Sequence, residues 1–170
     1  MKRLKTPIHL LFIMLLSLSA VSAQDHRYDA GVSRELAEWR KATIKDVEYK
    51  LEFDFLDNVG DVDIIFEVDK PQEIIIDFRN TDLVRSVCIV NDKDTNTPYT
   101  LDKEHIIISK ESIVAGRNCV GISFDIDNQS LNRKPDFLYT LLVPDRARTL
   151  FPCFDQPDMK AEYNLSLTLP

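Results

Sequence analysis

Histidine, cysteine and tryptophan are scarce: three, three and one in 170 residues. His9 sits in an N-terminal apolar run, and His26 and His105 stand far apart without a partner motif. Zinc sites need three or four clustered ligands, so no histidine-based metal centre is legible, and none of the three cysteines has the C-x-x-C spacing that would make one. Cys88 and Cys119 lie in strand-like runs and could pair if the chain is exported. A domain of this size does not need such a staple, and all three cysteines are read as buried apolar side chains. There is no internal repeat or low-complexity tract, and the strand-like runs follow one another too closely for βαβ units. Basic charge is also in deficit, with 21 Lys and Arg against 28 Asp and Glu. That balance repels phosphate backbones and excludes nucleic acid as a partner.

Lys2, Arg3 and Lys5 precede an apolar run from Ile8 to Leu18, and Val21-Ser22-Ala23 offers small residues before Gln24. Charge, apolar run and cleavage site in that order make residues 1–23 a secretory signal peptide. The run is shorter than the roughly 20 residues a membrane span takes. No cysteine follows it to carry a lipid. The expectation is an exported protein, periplasmic, outer-surface or secreted, with no transmembrane anchor after cleavage. Losing three basic residues with the leader takes the net charge from −7 to about −10.

Residues 24–42 read as a loose leader and a short helix. Ser33 is placed to N-cap it, and Leu36, Trp39 and Arg40 share one face. From there the period changes to two. Val47, Tyr49, Leu51, Phe53 and Phe55 alternate with charged residues, which describes a strand with one wet face. Further strands are expected at 64–68, 74–78, 84–90, 99–101, 105–109, 119–126, 137–143 and 163–169, with turns at 57–61 and 116–118. The alternating apolar set should fill the interior, with His105 at a strand end on the surface. The predicted fold is therefore all-β, a mostly antiparallel β-sandwich over residues 43–170 with one short N-terminal helix. Leu169-Pro170 ends on a strand whose pattern is still running, which suggests a domain cut from something longer.

Between the last two strands the chain reads Arg148-Thr-Leu-Phe-Pro-Cys-Phe-Asp-Gln-Pro-Asp-Met-Lys-Ala161. Pro152 and Pro157 each fix their own φ and push the residue before them towards an extended shape. Asp155 is expected to cap the turn 156–159, and Phe151, Cys153 or Phe154 to anchor the segment in the core. A stiff corner should result.

This segment resembles one in the N-terminal domain of the aminopeptidase N family of zinc metallopeptidases, which carries Ala-Arg-x-x-Phe-Pro-Cys-x-Asp-Glu-Pro-x-x-Lys-Ala. Ala147, Arg148, Phe151, Pro152, Cys153, Asp155, Pro157, Lys160 and Ala161 match, and Gln156 replaces the usual Glu. Tyr49 to Phe55 and the Gly116-Arg117-Asn118 turn are similar to family features as well. The resemblance implies a saddle-like β-domain whose parent enzyme removes N-terminal residues from peptides with one zinc ion. The zinc would be held by a His-Glu-x-x-His helix in a following catalytic domain. This chain has neither that helix nor the family's Gly-x-Met-Glu-Asn strand, so it is expected to hold no cofactor and no catalytic residue of its own. Its implied partners are the catalytic domain and, in the intact enzyme, a peptide, and without that domain apolar side chains should lie uncovered near the end of strand 163–169 and around Phe154. Many members also present a polar residue to the substrate's amino group from a Thr-Gln-x-Glu motif shortly before Ala-Arg. Alignment puts Thr140, Leu141, Leu142 and Val143 there, and Val143 cannot accept a hydrogen bond. Leu141 and Val143 read equally as the continuation of a core strand. The alternative function is a stand-alone exported β-sandwich that binds a partner without catalysis.

Overall fold

The computed structural model describes residues 25–89 and 97–169. The expected leader, residues 1–23, lies outside them. Helix α1 (Arg34–Thr43) is capped by Ser33, whose side chain accepts from the Leu36 N–H at 3.1 Å. It runs directly into β1 (Ile44–Asp54) through a bulge in which Asp46 takes a positive φ of 50°. A tight turn follows. The Asp54 carboxylate accepts from the Leu56 and Asp57 N–H groups at 2.8 and 3.0 Å, and Asn58 adopts φ 58°. β2 (Val59–Val68) therefore starts earlier than the apolar pattern suggests.

The remaining strands are β3 (Ile74–Asp77), β4 (Val84–Ile89), β5 (Tyr99–Asp102), β6 (His105–Ile108), β7 (Gly116–Asp125), β8 (Leu131–Arg133), β9 (Leu138–Thr140) and β10 (Ala161–Thr168). They form a five-stranded sheet in the order β10-β1-β2-β7-β4, a three-stranded sheet β3-β6-β5 and the small pair β8-β9. All pairings are antiparallel except β1 with β10, which run parallel from Val47↔Ala161 to Asp54↔Thr168.

Period two explains the layers. In β1, Val47, Tyr49, Leu51 and Phe53 face inwards, joined by Val62, Ile64 and Phe66 of β2 and Val120, Ile122 and Phe124 of β7. Ile74, Ile76, Ile106 and Ile108 meet them from the three-stranded sheet. Ile75 and Ile107 point the other way, onto Leu36 of α1. β3 is thus covered on both faces, which is why its sequence is an unbroken apolar run. Gly60 is required by the packing, because a Cβ there would lie 2.4 Å from the Phe124 ring. The Gly116-Arg117-Asn118 turn also has a physical basis. Gly116 takes φ 93°, and buried Asn118 donates to the Val114 and Gly116 carbonyls while accepting from the Val114 N–H.

Four expectations are corrected. His105 is fully buried. Strand 137–143 shrinks to Leu138–Thr140, and Leu141 and Val143 are 59% and 84% exposed instead of continuing a core strand. The apolar side chains of β10, Tyr163, Leu165 and Leu167, are about half exposed as expected, but Phe154 is buried and not part of an uncovered face. Cys88 and Cys119 are free thiols of intermediate burial, not core residues; only Cys153 is buried.

Candidate functional site

The corner 147–161 is held from four directions. Its 3₁₀ turn, Ala147–Thr149, aims the Arg148 guanidinium into a cage of carboxylates. Nε lies 3.2 Å from Glu104, and Nη1 lies 3.2 Å from Asp155 and 3.3 Å from Asp145. Burial works against the charged guanidinium, but Glu104, Asp155 and Asp145 together hold its pKa above the usual arginine value. Asp155 does not cap the following turn. Its Oδ2 accepts from the Arg148 N–H and Nη1, both at 3.2 Å, so the carboxylate closes the loop backwards across Phe151 to Phe154. Burial raises its pKa, and Asp77 nearby adds to this against the opposing pull of Arg148.

Asp77 sits at the centre, fully buried. Its carboxylate receives a fork from Arg40 at 2.6 and 2.7 Å, and Oδ2 also accepts from the Asp155 N–H at 2.9 Å. Its backbone exchanges both hydrogen bonds with Cys153, at 2.8 and 3.0 Å. His105 Nδ1 lies 3.1 Å from Oδ1, too poorly aligned for a hydrogen bond, while Nε2 meets the Asp29 carbonyl at 2.7 Å. A carbonyl only accepts, so Nε2 carries a proton. Burial pushes the Asp77 carboxyl up. The Arg40 charge, His105 and the donated hydrogen bonds outweigh it, and its pKa falls below the usual range.

Aromatic packing completes the corner. The Phe154 N–H donates to the Tyr49 hydroxyl at 2.9 Å, burial driving that phenol's pKa far up. Arg40 lies over the Phe154 ring at 5.3 Å, and Phe151 packs edge-on to Tyr49 and Phe53. Buried Gln156 donates to the Ala37 carbonyl at 3.0 Å and to Asp158 at 2.7 Å, linking the corner to α1. Pro152 is buried, Pro157 and Lys160 are exposed, and partly buried Ala161 opens β10 opposite Val47.

Sequence reasoning found the corner and its anchors but missed its centre. Asp77 and Arg40 lie 37 residues apart. The signals were an Asp ending the run Ile74-Ile75-Ile76 and an Arg on the apolar face of α1. Val143 stands outside the corner, on an exposed stretch. Among the described residues, no group of three or more His, Cys, Asp or Glu could hold a metal ion. The buried Asp77–His105 pair does not fit a zinc site, because Arg40 and the Asp155 N–H already occupy its carboxylate oxygens.

Beside the corner lies an apolar groove of about 400 Å³. Its floor includes Leu51, Phe53 and Phe151, and its rims are Leu138 and Tyr139 of β9 and Tyr163, Leu165 and Leu167 of β10.

The peptidase M1 N-terminal domain family matches residues 66–170, more than half of the chain and the whole of this corner. The chain belongs to that family. A curated relative, leucine aminopeptidase 2 of Pyricularia oryzae, is 27% identical over 75 residues, which span 44% of this chain and 12% of that protein. Among solved structures, leukotriene A4 hydrolase of Saccharomyces cerevisiae matches with a TM-score of 0.63 at 18% identity, over 89% of this chain and 26% of that one. The M1 zinc metallopeptidase of Deinococcus radiodurans matches with 0.57 at 16% identity, over 75% and 33%. At these identities the structural likeness concerns the fold, and this M1 N-terminal domain spans a third or less of each of these proteins.

Proposed function

We propose that this domain belongs to an exported zinc aminopeptidase that removes N-terminal residues from peptides, and that it packs on a catalytic domain and walls one side of its active-site cleft. The observation that carries this reading is the pairing of a densely hydrogen-bonded M1 corner with an uncovered apolar face. Tyr163, Leu165 and Leu167 are exposed by 59%, 59% and 48% in a row beside the groove, and Phe137, Tyr139 and Leu141 extend the apolar surface. Contiguous apolar surface of that kind marks an interaction site. The patch does not reach Phe154, which is buried. Such bonding suits a wall, since a surface that shapes a cleft must hold its position. Exposed Val143 would be the point nearest a bound peptide, an apolar one where many relatives present a polar residue, so amino-group recognition would fall to the catalytic domain.

Zinc in the intact enzyme would polarise the scissile carbonyl and activate water. The described residues of this domain would position and exclude solvent, and would not ligate it. The test is the reading frame beyond Pro170 together with the intact enzyme. A frame that continues to His-Glu-x-x-His, and an exported product whose release of N-terminal residues is abolished by a chelator, are expected. A stop codon immediately after Pro170 overturns the reading in favour of a stand-alone binding module.

A further inference from the structure

Cys88 and Cys119 belong to neighbouring strands of the five-stranded sheet, β4 and β7. In β7 the inward-facing Val120, Ile122 and Phe124 alternate with Cys119, Gly121 and Ser123, so Cys119 lies on the outer face. In β4 the inward residues are Val87 and Ile89, which puts Cys88 on the same outer face. The register sets Cys88 opposite Gly121, and on the other side of β7 it sets Ile65 opposite Cys119. The two thiols are therefore diagonal neighbours across the β4–β7 ladder, and Gly121 brings no side chain between them. Both are free and half-buried. Diagonal residues have Cα atoms roughly 7–8 Å apart, whereas a disulfide needs about 4.4–6.8 Å. The register thus accounts for two thiols that are close and yet unpaired.

From this juxtaposition we infer that Cys88 and Cys119 form a two-thiolate site for a soft monovalent cation of the class of Cu(I) or Ag(I). Thiolates select such ions, which take two sulfurs in line. Two metal–sulfur bonds of about 2.3 Å each, as in zinc thiolates, span a gap that a single S–S bond of about 2.05 Å does not. The step balances without an oxidant: two thiols and one cation give a bis-thiolate complex with a single negative charge, and two protons leave to solvent. Burial and then the Asp63 carboxylate push the Cys119 thiol up to about 11, Cys88 adds to this, and Lys50 and Arg117 pull the other way. A thiol held that high is a poor nucleophile near pH 7, but a coordinating metal ion displaces its proton outright. Lys50 and Arg117, both near enough to favour the Cys119 thiolate, offset the charge of the complex. The donor set is too small for zinc, because among the described residues no group of three or more His, Cys, Asp or Glu could hold a metal ion.

The experiment uses the chain starting at Gln24, which contains every described element, reduced and kept free of oxygen, in competition with the chromophoric chelator bicinchoninate for Cu(I). The parent should withdraw one Cu(I) per chain, with two sulfur neighbours and no nitrogen around copper by X-ray absorption. Cys88→Ser and Cys119→Ser each change one atom on the outer face, so circular dichroism should be unchanged. Each should weaken Cu(I) binding roughly a hundredfold, because the second thiolate is supplied at high effective concentration by the first one's own scaffold. No withdrawal of Cu(I) by the parent overturns the inference, as does binding undiminished in either variant. A nitrogen- or oxygen-rich copper environment in the parent overturns it whether or not the variants fold. Loss of both thiols to a Cys88–Cys119 disulfide in air would overturn the distance argument. None of these results bears on the proposed function, which is tested on the intact enzyme.

Discussion

Replacing Arg40 by Met should destabilise this domain more than the loss of any surface charge could. Arg40 and Asp77 are both fully buried and joined by two hydrogen bonds of 2.6 and 2.7 Å, and Arg40 Nη2 also donates to the Ile75 carbonyl at 2.7 Å. Methionine fills much of the same volume but leaves the Asp77 carboxylate buried with only the Asp155 N–H and His105 beside it. Breaking a buried pair from one side costs about 3–5 kcal/mol, out of the roughly 5–15 kcal/mol that holds a domain together. The sign with pH follows from Asp77. In the parent its folded pKa lies below 3.8, so its contribution is in place above 3.8 and is lost only as pH falls through that lower value. Without Arg40 the dominant lowering influence is gone and burial raises the folded pKa above the unfolded one. The deficit of the variant should then grow as pH rises and shrink towards pH 5. Trp39, the single tryptophan, adjoins Arg40 on α1 and reports urea unfolding directly. At one fixed protein concentration, the midpoint at pH 7 should drop by about 2 M, taking the slope typical of small domains. Asp77→Asn added to Arg40→Met should recover part of the loss by removing the buried charge while keeping an acceptor for the Asp155 N–H. A variant within about 1 kcal/mol of the parent, the size of a typical single substitution, with an unchanged pH profile, would refute the view that this pair anchors the corner.

Tyr49→Phe removes the acceptor of the buried Phe154 N–H and should cost about 1–3 kcal/mol in the same urea assay, an unchanged midpoint counting against it. Gly60→Ala forces a methyl group to within 2.4 Å of the Phe124 ring, so a loss of about 1–3 kcal/mol is expected, visible as a lower melting temperature; a tolerated alanine would mean the β2–β7 spacing can relax. The domain from Gln24 on, purified and dialysed, should bind no stoichiometric zinc by atomic absorption and turn over no aminoacyl reporter. Chelator-sensitive turnover by this domain alone would contradict the division of labour proposed.

The sequence by itself determined the strands whose two faces meet different surroundings. Along β1, alternation of charge with Tyr49, Leu51 and Phe53 settles which side is buried, because a one-residue slip would reverse every side chain. Ser33 likewise marked the start of α1 through a contact within one turn. The corner was legible because two prolines and three apolar anchors constrain it locally, and the residues of the M1 motif lie in one short stretch. What the tertiary structure alone decided depends on partners distant in sequence. Periodicity alone reports a face and not whether another layer covers it: β10 alternates as clearly as β1, and it was the implied partner domain that marked its apolar side chains as uncovered, while the same argument failed for Phe154, which the structure buries. His105 read as a strand-end surface residue and Asp77 drew no reading of its own within strand 74–78; the two became the buried centre of the domain only when α1, β3, β6 and the corner converged on them. Asp155 could cap forwards or close backwards on Arg148, and the cage of Glu104 and Asp145, which fixes where that guanidinium sits, decided it.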